Sequence, residues 1–522
     1  MTVPMPTSRR FAARMARATA VVAATALVLT GCAVAQGTPG DSPAASSTPV
    51  PGGVLTIAAA ADAQPQFAMA NRAGNWSWRR LVFDSLIQLN ENSEPQPLLA
   101  TDWSYNDDRT ELTLTLRDDV VYHSGRAFTA DDVVFSLQQV QLPANASQLA
   151  AVAKNIASVA ATSDTEVVIT LSAASDSMFD LLDLTPIVDS ETWAQAADGK
   201  NIVGTGPFTW EEWVPGASLT LEANDDYWGE DGPYLDEVDI SIIPDSTALQ
   251  SALKGGAADL VIGMAQSDVI RLADDTEYVL QNAGGVFYPF GIDVERAPFN
   301  TPEARQALAY AIDRERISDQ VFGGDAIMTD LWWTPGSPGY PTDLAEHYSY
   351  DPEKAKELLQ ASGTAGADLT ITYANLPVMK SLFEIVQNNL TEVGLNVTAE
   401  ALDVPDYDKR QVEGNIGQSF LLLHGMVGFS AATLIDAMPS IRTGNPSHFT
   451  TPEYDKLKAG VRAADDKTRE KALTDLSKYM LDQAFSNIIA VAPQYHVNSA
   501  RLQGIDVVSL GSVVATDAYL SE

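Results

Sequence analysis

The sequence predicts an α/β fold with two lobes. Two stretches, 238–262 and 368–402, each show an apolar strand pattern, a helix pattern and a second strand pattern in that order. Glycines end both helix patterns, Gly255 in the first stretch and Gly394 in the second. Crossover connections of this kind build a sheet that is covered by helices. Because the two stretches are far apart in the chain, we expect one such unit in each lobe.

A third observation predicts an additional α+β domain inserted in the first lobe. Two strand patterns, 111–116 and 165–171, alternate apolar and polar residues. Asp132 follows Thr129 by three residues, an arrangement typical of the capped start of a helix, here expected over 133–140. Further helices are predicted from periodic apolar residues, over the ranges 75–87, 301–312, 352–360 and 467–482.

The composition is that of an ordinary globular protein. Of 522 residues, 45% are hydrophobic and 19% are charged, which allows roughly two to four domains with a sizeable core. Acidic residues outnumber basic ones, 69 to 32, and the net charge of −37 repels phosphate backbones and anionic lipid. Nucleic acid is therefore excluded as a non-specific partner. Cys32 is the single cysteine, which excludes an intrachain disulfide and a cysteine-rich metal site.

Residues 1–31 are predicted to be a signal peptide. Four arginines precede an uninterrupted run of Ala, Val, Leu and Thr over 18–30, which is too short for a comfortable membrane span. Cys32 directly follows Leu29-Thr-Gly, a string that looks like a bacterial lipobox, in which the cysteine thiol carries a diacylglycerol. The alternative, a buried free cysteine, fits neither its position nor its flanks. Residues 32–52, rich in Pro, Gly, Ser and Thr, are predicted to be a lipidated flexible tether.

No pattern for catalysis, metal binding or cofactor binding stands out. The chain lacks the nucleophile elbow of hydrolases, the His-Glu-x-x-His zinc helix and the phosphate-binding loop. Ser251-Ala-Leu-Lys254 matches one motif of penicillin-binding enzymes, but the companion motifs are absent, so a surface helix turn is favoured. The five histidines show no metal-ligand spacing. We therefore predict no catalytic residue, no metal and no cofactor, and expect a protein that is not an enzyme.

Nine short strings in the body of the chain match a known family when they are taken together. They are Leu99-Ala-Thr-Asp-Trp103, Leu112-Thr-Leu-Thr-Leu-Arg117, His123-Ser-Gly125, Phe128-Thr-Ala-Asp-Asp-Val133, Gly204-Thr-Gly-Pro-Phe208, Asn224-Asp-Asp-Tyr-Trp228, Leu253-Lys-Gly-Gly256, Pro302-Glu-Ala-Arg-Gln-Ala-Leu308 and Pro335-Gly-Ser-Pro-Gly-Tyr340. In this order and spacing they resemble the family 5 solute-binding proteins of bacterial ABC importers, the peptide, nickel and opine group. The resemblance covers essentially everything after the tether. Most of the strings look like strands, caps and turns of the scaffold.

The resemblance implies a two-lobed periplasmic-binding-protein clamp, of the Venus-flytrap type, with an additional α+β domain inserted in the first lobe. By analogy with the family, the expected parts are 53–96, 205–290 and 486–522 for lobe I, 97–204 for the extra domain and 291–485 for lobe III. Strands near 287–292 and 489–497 would form the hinge. A ligand would lie between the lobes and become buried when the clamp closes.

The resemblance also implies where a ligand would be met. In peptide-binding relatives the ligand pairs with backbone edges, here expected at the loop Met69–Trp76 and in the region Leu423–Ala432. The candidate ligand-binding residues are Asn71, Asn75, Trp76, Tyr288, His424, Met426, Phe429 and Tyr495. Core packing is the alternative role for each of them. Trp332 and Trp333 could form a stacking platform or pack inside a lobe, and packing is favoured.

The region Leu423–Ala432 departs from the family in one respect. Relatives often carry Gly-Trp here, followed closely by an acid that holds the amino terminus of a peptide. This chain has no carboxylate in the region before Asp436. Three options stay open: a blocked or short peptide, a non-peptide ligand, or an amine contact from elsewhere, such as Asp62.

Together these observations predict an extracytoplasmic receptor that is lipid-anchored to the outer face of the cytoplasmic membrane and monomeric. It would capture a small solute, with an oligopeptide favoured, and deliver it to the transmembrane subunits of an ABC permease. Alternatives are the same clamp with a metal chelate, an opine or an oligosaccharide, a lipoprotein hydrolase, and an adhesin or signalling receptor. The export route, Sec or Tat, stays open because Phe11 directly follows Arg9-Arg10.

Overall fold

The computed structural model describes residues 49–90, 92–229 and 232–521. Its strands are β1 Val54–Ala59, β2 Ile87–Leu89, β3 Pro95–Pro97, β4 Ala100–Tyr105, β5 Glu111–Leu116, β6 Ile156–Ser163, β7 Glu166–Leu171, β8 Phe208–Val214, β9 Ser218–Ala223, β10 Glu237–Ile242, β11 Leu260–Ile262, β12 Tyr278–Ile292, β13 Asp368–Ala374, β14 Asn396–Leu402, β15 Ser419–Leu421, β16 Ser486–Ser499, β17 Leu502–Gln503, β18 Asp506–Val508, β19 Ser512–Val514 and β20 Tyr519–Leu520. The predicted signal peptide and Cys32 lie outside these described residues.

Along the chain, the α-helices alternate with groups of strands. They are α1 Arg79–Val82, α2 Ala130–Gln141, α3 Ala150–Ala153, α4 Met178–Leu184, α5 Ser246–Lys254, α6 Gln266–Val269, α7 Pro302–Ala311, α8 Arg314–Phe322, α9 Pro352–Ala361, α10 Pro377–Glu392, α11 Val404–Val412, α12 Ala431–Ala437, α13 Pro452–Ala463 and α14 Arg469–Gln483. Within the described ranges, no helix combines the length and the apolar character that a membrane crossing needs.

One mixed sheet of ten strands runs through the described chain, in the order β14-β13-β15-β12-β16-β11-β1-β10-β9-β8. β12 and β16 form its middle and pair antiparallel, from Tyr278 opposite Ser499 to Gly291 opposite Ser486. These two long strands join the half of the sheet that holds β13 to β15 to the half that holds β1 and β8 to β11. They contain both segments predicted to form the hinge, and the pairing register shifts after Tyr288, inside one of them.

Both predicted strand-helix-strand units are present. β10, α5 and β11 form the first, and the two strands lie parallel to β1, one on each side of it. β13, α10 and β14 form the second, and its strands are direct parallel neighbours. Asp245 caps α5 by accepting a hydrogen bond from the Ala248 N–H at 2.8 Å. Gly394 follows α10 with a φ of +98°, which favours glycine. The predicted α/β fold class is therefore confirmed.

A separate four-stranded sheet lies where the inserted α+β domain was predicted. Its order is β4-β5-β7-β6, and α2 packs on β6 and β7. Leu112 and Leu114 of β5 are fully buried, as their alternation with polar residues predicts. The Asp132 carboxylate accepts a hydrogen bond from the Thr129 N–H at 3.1 Å at the start of α2. The predicted capping arrangement is present, although the helix begins three residues earlier than expected.

The predicted helix over 75–87 is wrong. Only Arg79–Val82 is α-helical there, and Ala73–Asn75 forms a 3-10 turn. Every residue from Ser77 to Ile87 is buried, including the charged Asp84. Burial on all sides, and not one apolar helix face, therefore accounts for the spacing of apolar residues in this segment.

The hydrophobic core does not divide at the predicted lobe boundaries. The cluster that fills the predicted lobe I and the extra domain also takes in Trp332, Trp333 and Phe449 from the predicted lobe III. Trp333 is 1% exposed and donates a hydrogen bond from Nε1 to the Ser477 hydroxyl at 2.9 Å. Trp332 packs on Phe287 of β12 with a ring separation of 5.8 Å. Both tryptophans therefore pack in the core, and a stacking platform does not form.

Polar contacts tie the inserted domain to the segment 430–469. The Asp180 carboxylate in α4 accepts hydrogen bonds from the Ser430 N–H at 3.1 Å and from its hydroxyl at 2.5 Å. Asp176 forms an ion pair with Arg469 at 2.8 Å. Burial raises the pKa of Asp180 to about 6. These contacts connect the predicted extra domain with the predicted lobe III.

Close packing explains two glycines of the string 204–208. A Cβ on Gly204 would lie 1.9 Å from the Val82 carbonyl oxygen, and one on Gly206 would lie 2.6 Å from the Leu81 carbonyl oxygen. Neither position has room for a side chain without a shift of the backbone. This string is therefore part of the scaffold, as the sequence pattern indicates.

Candidate ligand-binding cleft

Two adjoining cavities form a cleft in the described part of the chain. The His424 cavity, of about 660 Å³, lies around that histidine, and the Tyr288 cavity, of about 450 Å³, lies around that tyrosine. Trp76, Val286 and Gln494 line both cavities, so the cleft is continuous. The predicted ligand-binding residues that line it are Asn71, Trp76, Tyr288, His424, Met426 and Tyr495.

His424 is held in one position and is uncharged at neutral pH. Its backbone forms two hydrogen bonds of 2.9 Å with that of Phe287, which extends the pairing beyond β15. Its Nε2 lies 2.8 Å from the Ser440 hydroxyl. Burial and the positive charge of Arg442 lower the pKa of His424 to about 3. The imidazole is therefore a neutral hydrogen-bonding group at the wall of the cavity.

The backbone directly after His424 forms a free edge on the cavity. Gly425 and Met426 line the cavity. Among the residues that the structure describes, the N–H groups of 425–427 find no acceptor. A Cβ on Gly425 would meet nothing within 4 Å, so there is open space on the side-chain side of this residue. An edge of this kind can pair with an extended backbone.

The loop Met69–Trp76 does not present the open backbone edge that was predicted. Within it Ala73–Asn75 forms a 3-10 turn, and several of its N–H groups donate to carbonyl oxygens a few residues earlier in the chain. Asn75 is fully buried and accepts a hydrogen bond from the Gln64 N–H at 3.0 Å. Its amide nitrogen donates to the carbonyl oxygens of Phe67 and Ala70 at 3.0 and 3.2 Å. Asn75 therefore braces the loop and, unlike the six residues above, does not line the cleft.

Asn71 connects this loop to three other parts of the chain. Its N–H donates to Gln148 Oε1 at 3.0 Å, and its Nδ2 donates to the Leu510 carbonyl oxygen at 3.2 Å. Its Oδ1 accepts a hydrogen bond from the Arg79 guanidinium at 3.2 Å. These bonds fix the wall of the His424 cavity where Asn71 lines it. A contact between Asn71 and a ligand stays a prediction.

Tyr288 and Tyr495 line the second cavity and are both protonated at neutral pH. Burial raises the pKa of Tyr288 to about 12, and its ring lies 5.2 Å from that of Phe322. Burial, and then the Asp325 carboxylate, raises the pKa of Tyr495. Protonated phenols can donate as well as accept hydrogen bonds. The Tyr288 cavity therefore combines apolar rings with hydroxyl groups.

Two ring nitrogens at the cleft have no hydrogen-bond partner within the described chain. They are Trp76 Nε1 and His496 Nδ1, in rings whose centres are 5.8 Å apart. His496 Nε2 lies 2.7 Å from the Gly511 carbonyl oxygen, so Nε2 carries the proton and Nδ1 is an acceptor. Burial lowers the pKa of His496 to about 4. Sequence reasoning missed this residue as a cleft residue, because a histidine in an apolar strand carries no local mark of a cavity.

Phe429 lies behind the cleft. It is 5% exposed and lines a separate cavity of about 10 Å³ together with Asn71 and Arg79. A cavity of this volume holds about one water molecule. Core packing, the alternative role for Phe429, accounts for this placement.

Asp62 is not free to hold an amino group. Its Oδ1 accepts a hydrogen bond from Trp213 Nε1 at 3.0 Å, and its Oδ2 accepts one from the Gly216 N–H at 2.7 Å. It lies outside both cavity walls. The option of an amine contact from Asp62 therefore fails on geometry.

One group of possible metal ligands lies in the described residues, away from the cleft. Asp293, Glu295 and His448 place ligand atoms within 4.8 Å of one another. The Asp293 carboxylate already forms an ion pair with Arg296 at 2.8 Å and lies 3.1 Å from His448 Nδ1. Arg296 therefore already compensates the negative charge of Asp293, as a bound metal ion would do. The histidine is distant in sequence, so no local spacing could have revealed this group.

Comparison with known proteins identifies relatives over most of the chain. Residues 94–434 match the bacterial extracellular solute-binding proteins, family 5, middle region. Heme-binding protein A of Haemophilus influenzae is 27% identical over 485 residues, with 84% of this chain and 87% of that protein covered. Dipeptide-binding protein DppE of Bacillus subtilis is 24% identical over 474 residues, with 83% and 85% covered.

A solved structure shows the same fold. The periplasmic binding protein DppA from Helicobacter pylori, in complex with the peptide STSA, superposes with a TM-score of 0.74 at 24% identity. The match covers 91% of this chain and 99% of that one. The two-lobed clamp with helices on a mixed sheet is thus the fold of this chain as well. Because the family match covers more than half of the sequence, the chain belongs to family 5 of the bacterial extracellular solute-binding proteins.

Proposed function

We propose that this chain is the substrate-binding component of an ABC importer, which captures a small solute in the cleft and delivers it to the permease. The observation that carries the proposal is the continuous cleft formed by the His424 and Tyr288 cavities. Its combined size suits a short peptide or a compound of similar bulk. Relatives in the same family are named as dipeptide-binding and heme-binding proteins.

An oligopeptide is the solute that we favour. Gly425 and Met426, whose N–H groups find no acceptor in the described residues, line the His424 cavity. A peptide in extended conformation would pair with them as an added strand and place its side chains in the two cavities. The amide group of Gln494, which lines both cavities, offers a further donor and acceptor for a peptide backbone.

The proposal includes a lipid anchor at Cys32 and a monomeric protein on the outer face of the cytoplasmic membrane. The lipobox string Leu29-Thr-Gly-Cys32 supports the anchor. The proposal includes no catalysis. In support, the relatives are named as binding proteins, and the cleft histidines His424 and His496 have pKa values of about 3 and 4, far from those of useful general bases at neutral pH.

The experiment is a substitution that fills the cleft. Gly425→Phe places a ring in the empty space next to the backbone edge and should abolish solute binding while the fold is kept, because a Cβ there meets nothing within 4 Å. Gly460→Phe is the matched control, since Gly460 is exposed and its Cβ also meets nothing. Native mass spectrometry of protein purified without refolding reports the bound solute. Equal solute occupancy in the two variants would contradict the proposal.

A further inference from the structure

The cleft differs from the rest of the molecule in its charge. The chain carries 69 acidic residues against 32 basic ones. Even so, no aspartate or glutamate lines the His424 cavity or the Tyr288 cavity, among the described residues. The polar groups of both walls are amides, hydroxyls, imidazoles and two cations. Asp325 lies behind the Tyr288 cavity, where its carboxylate accepts a hydrogen bond from Gln266 Nε2 at 3.0 Å and contacts Tyr495. Walls without a carboxylate of their own, in so acidic a protein, call for an explanation in terms of the ligand.

The two cations at the wall of the His424 cavity have no partner within the chain that the structure describes. They are Lys154, which follows α3 in the extra domain, and Arg442, which follows α12 in lobe III. Both are exposed, and neither side chain forms an ion pair or a hydrogen bond there. Because they come from different parts of the fold, a ligand between them would contact both parts at once.

An acidic group that shares a cavity with Lys154 is already paired with an arginine. Asp436 lines a third cavity, of about 300 Å³, which shares Lys154 with the His424 cavity. Its carboxylate is held by two nitrogens of Arg462 at 2.8 and 2.5 Å. The ion pair with Arg462 compensates the charge of this carboxylate, and Lys154 forms no ion pair with it in the described residues. The positive charge of Lys154 and Arg442 is therefore available to a ligand.

A third cation lies behind the same wall. Arg79 is 2% exposed, and its Nη1 has no hydrogen-bond partner in the described residues. It lines the 10 Å³ cavity that shares Asn71 and Gln148 with the His424 cavity. Burial, and then the neighbouring Arg80, lowers the pKa of Arg79 to about 9, so the guanidinium stays charged at neutral pH. A buried guanidinium with a free N–H adds positive potential at this end of the cleft.

We propose that the solute carries a carboxylate or a similar anionic group, which binds between Lys154 and Arg442, and that it carries no free ammonium group inside the cleft. This inference rests on the proposed function, because it names the solute class of the same cleft. A carboxylate there would form charge-assisted hydrogen bonds with both cations. An ammonium would lose its hydration without meeting a carboxylate, which is strongly unfavourable.

The experiment compares pools of one set of random tetrapeptides, built from uncharged residues, in four forms. The amino terminus is free or acetylated, and the carboxyl terminus is free or amidated. A parallel pair of pools contains non-peptide carboxylic acids and their primary amides. Native mass spectrometry of the full chain shows which compounds are retained, and calorimetry gives the Kd of each retained compound.

We expect the retained compounds to carry a free carboxylate, with amidation weakening binding at least tenfold. Acetylation of the amino terminus should change affinity less than about tenfold. Lys154→Gln and Arg442→Gln should each weaken binding about tenfold, and more so at low salt than at high salt. Lys467→Gln is the control, because Lys467 is exposed, lies outside the cleft and forms no side-chain contact in the described residues.

Two kinds of result would overturn the inference while solute capture still stands. One is retention of amidated or amine-bearing compounds in preference to the acids. The other is binding by the Lys154→Gln and Arg442→Gln variants that equals that of Lys467→Gln. If no compound from any pool binds, the inference is tested instead by the charge of the solute that co-purifies with the protein. A neutral or cationic solute refutes the inference alone, and the lack of any solute counts against the proposed function as well.

Discussion

Neutralising one buried carboxylate, by the substitution Asp84→Asn, should make the folded protein more stable at neutral pH. Asp84 is 6% exposed, and its Oδ2 accepts hydrogen bonds from the Thr205 hydroxyl at 3.0 Å and from Trp228 Nε1 at 2.9 Å. Burial raises its pKa from 3.8 to about 6, in opposition to these two bonds. At pH 7.5 the folded state therefore holds a carboxylate that resists ionisation.

The size of the effect follows from the two pKa values. A difference of about 2.2 between the folded and the unfolded chain corresponds to about 3 kcal/mol of unfolding free energy. Because the folded pKa is the higher one, the contribution of Asp84 to stability is complete below about pH 3.8 and is lost as pH rises through about 6. Both donors contact the same oxygen, so the carboxamide oxygen of Asn can accept both hydrogen bonds.

We expect Asp84→Asn to raise the free energy of unfolding by about 1–3 kcal/mol at pH 7.5, with the cost of burying the new amide included. The gain should shrink by about 2 kcal/mol between pH 7.5 and pH 4.5. Urea unfolding followed by circular dichroism, at several pH values, measures both quantities. Asp274→Asn, which removes one charge from an exposed position, is the control for the effect of net charge. A gain that does not vary with pH, or a loss at pH 7.5, would refute the reasoning.

Three further outcomes are expected. Gly204→Ala should lower the free energy of unfolding by about 3 kcal/mol, because its Cβ would lie 1.9 Å from a carbonyl oxygen. Gly460→Ala, in helix α13, should raise it by about 0.5–1 kcal/mol, because alanine favours a helix more than glycine does. Urea unfolding of the two variants measures both changes. Cys32→Ala should release the protein from membranes, and mutant protein that stays bound after a salt wash would contradict the anchor. His424→Ala should weaken binding of a retained solute by about 1–3 kcal/mol, because it removes a neutral hydrogen-bonding ring from the wall of the His424 cavity; an unchanged Kd in calorimetry would show that this ring does not bind the solute.

The sheet units could be predicted because their signals are local. Apolar strands, a helix period and a terminal glycine all fall within about thirty residues, as at Gly394 after α10. The helix prediction for 75–87 is wrong for the opposite reason. This segment is buried on all sides by parts of the chain that are distant in sequence, so its apolar spacing does not reflect a helix face. The local pattern could not distinguish these two cases.

The cleft could be predicted only in part. The resemblance to a family indicated the regions near Asn71 and His424, and both line the same cavity. It did not indicate Lys154 or Arg442, because exposed cations are common and only the folded chain brings these two to one wall. Asn75 shows the reverse error. A polar residue in a predicted binding loop is a natural candidate for a ligand contact, but the four hydrogen bonds of Asn75 hold the loop together.

The contacts between the inserted domain and the segment 430–469 bear on the speed of solute exchange. The bond between Asp180 and Ser430 joins α4 to the start of α12, and both helices pack on α3, which Lys154 directly follows. The ion pair between Asp176 and Arg469 adds a second link between the same two segments. Any motion that separates these two parts of the fold must first break those bonds, whether or not a solute is bound. Their strength adds to the barrier for release, and it also favours the form of the protein that encloses the solute. The residence time of the solute can therefore be altered at residues that the solute never touches.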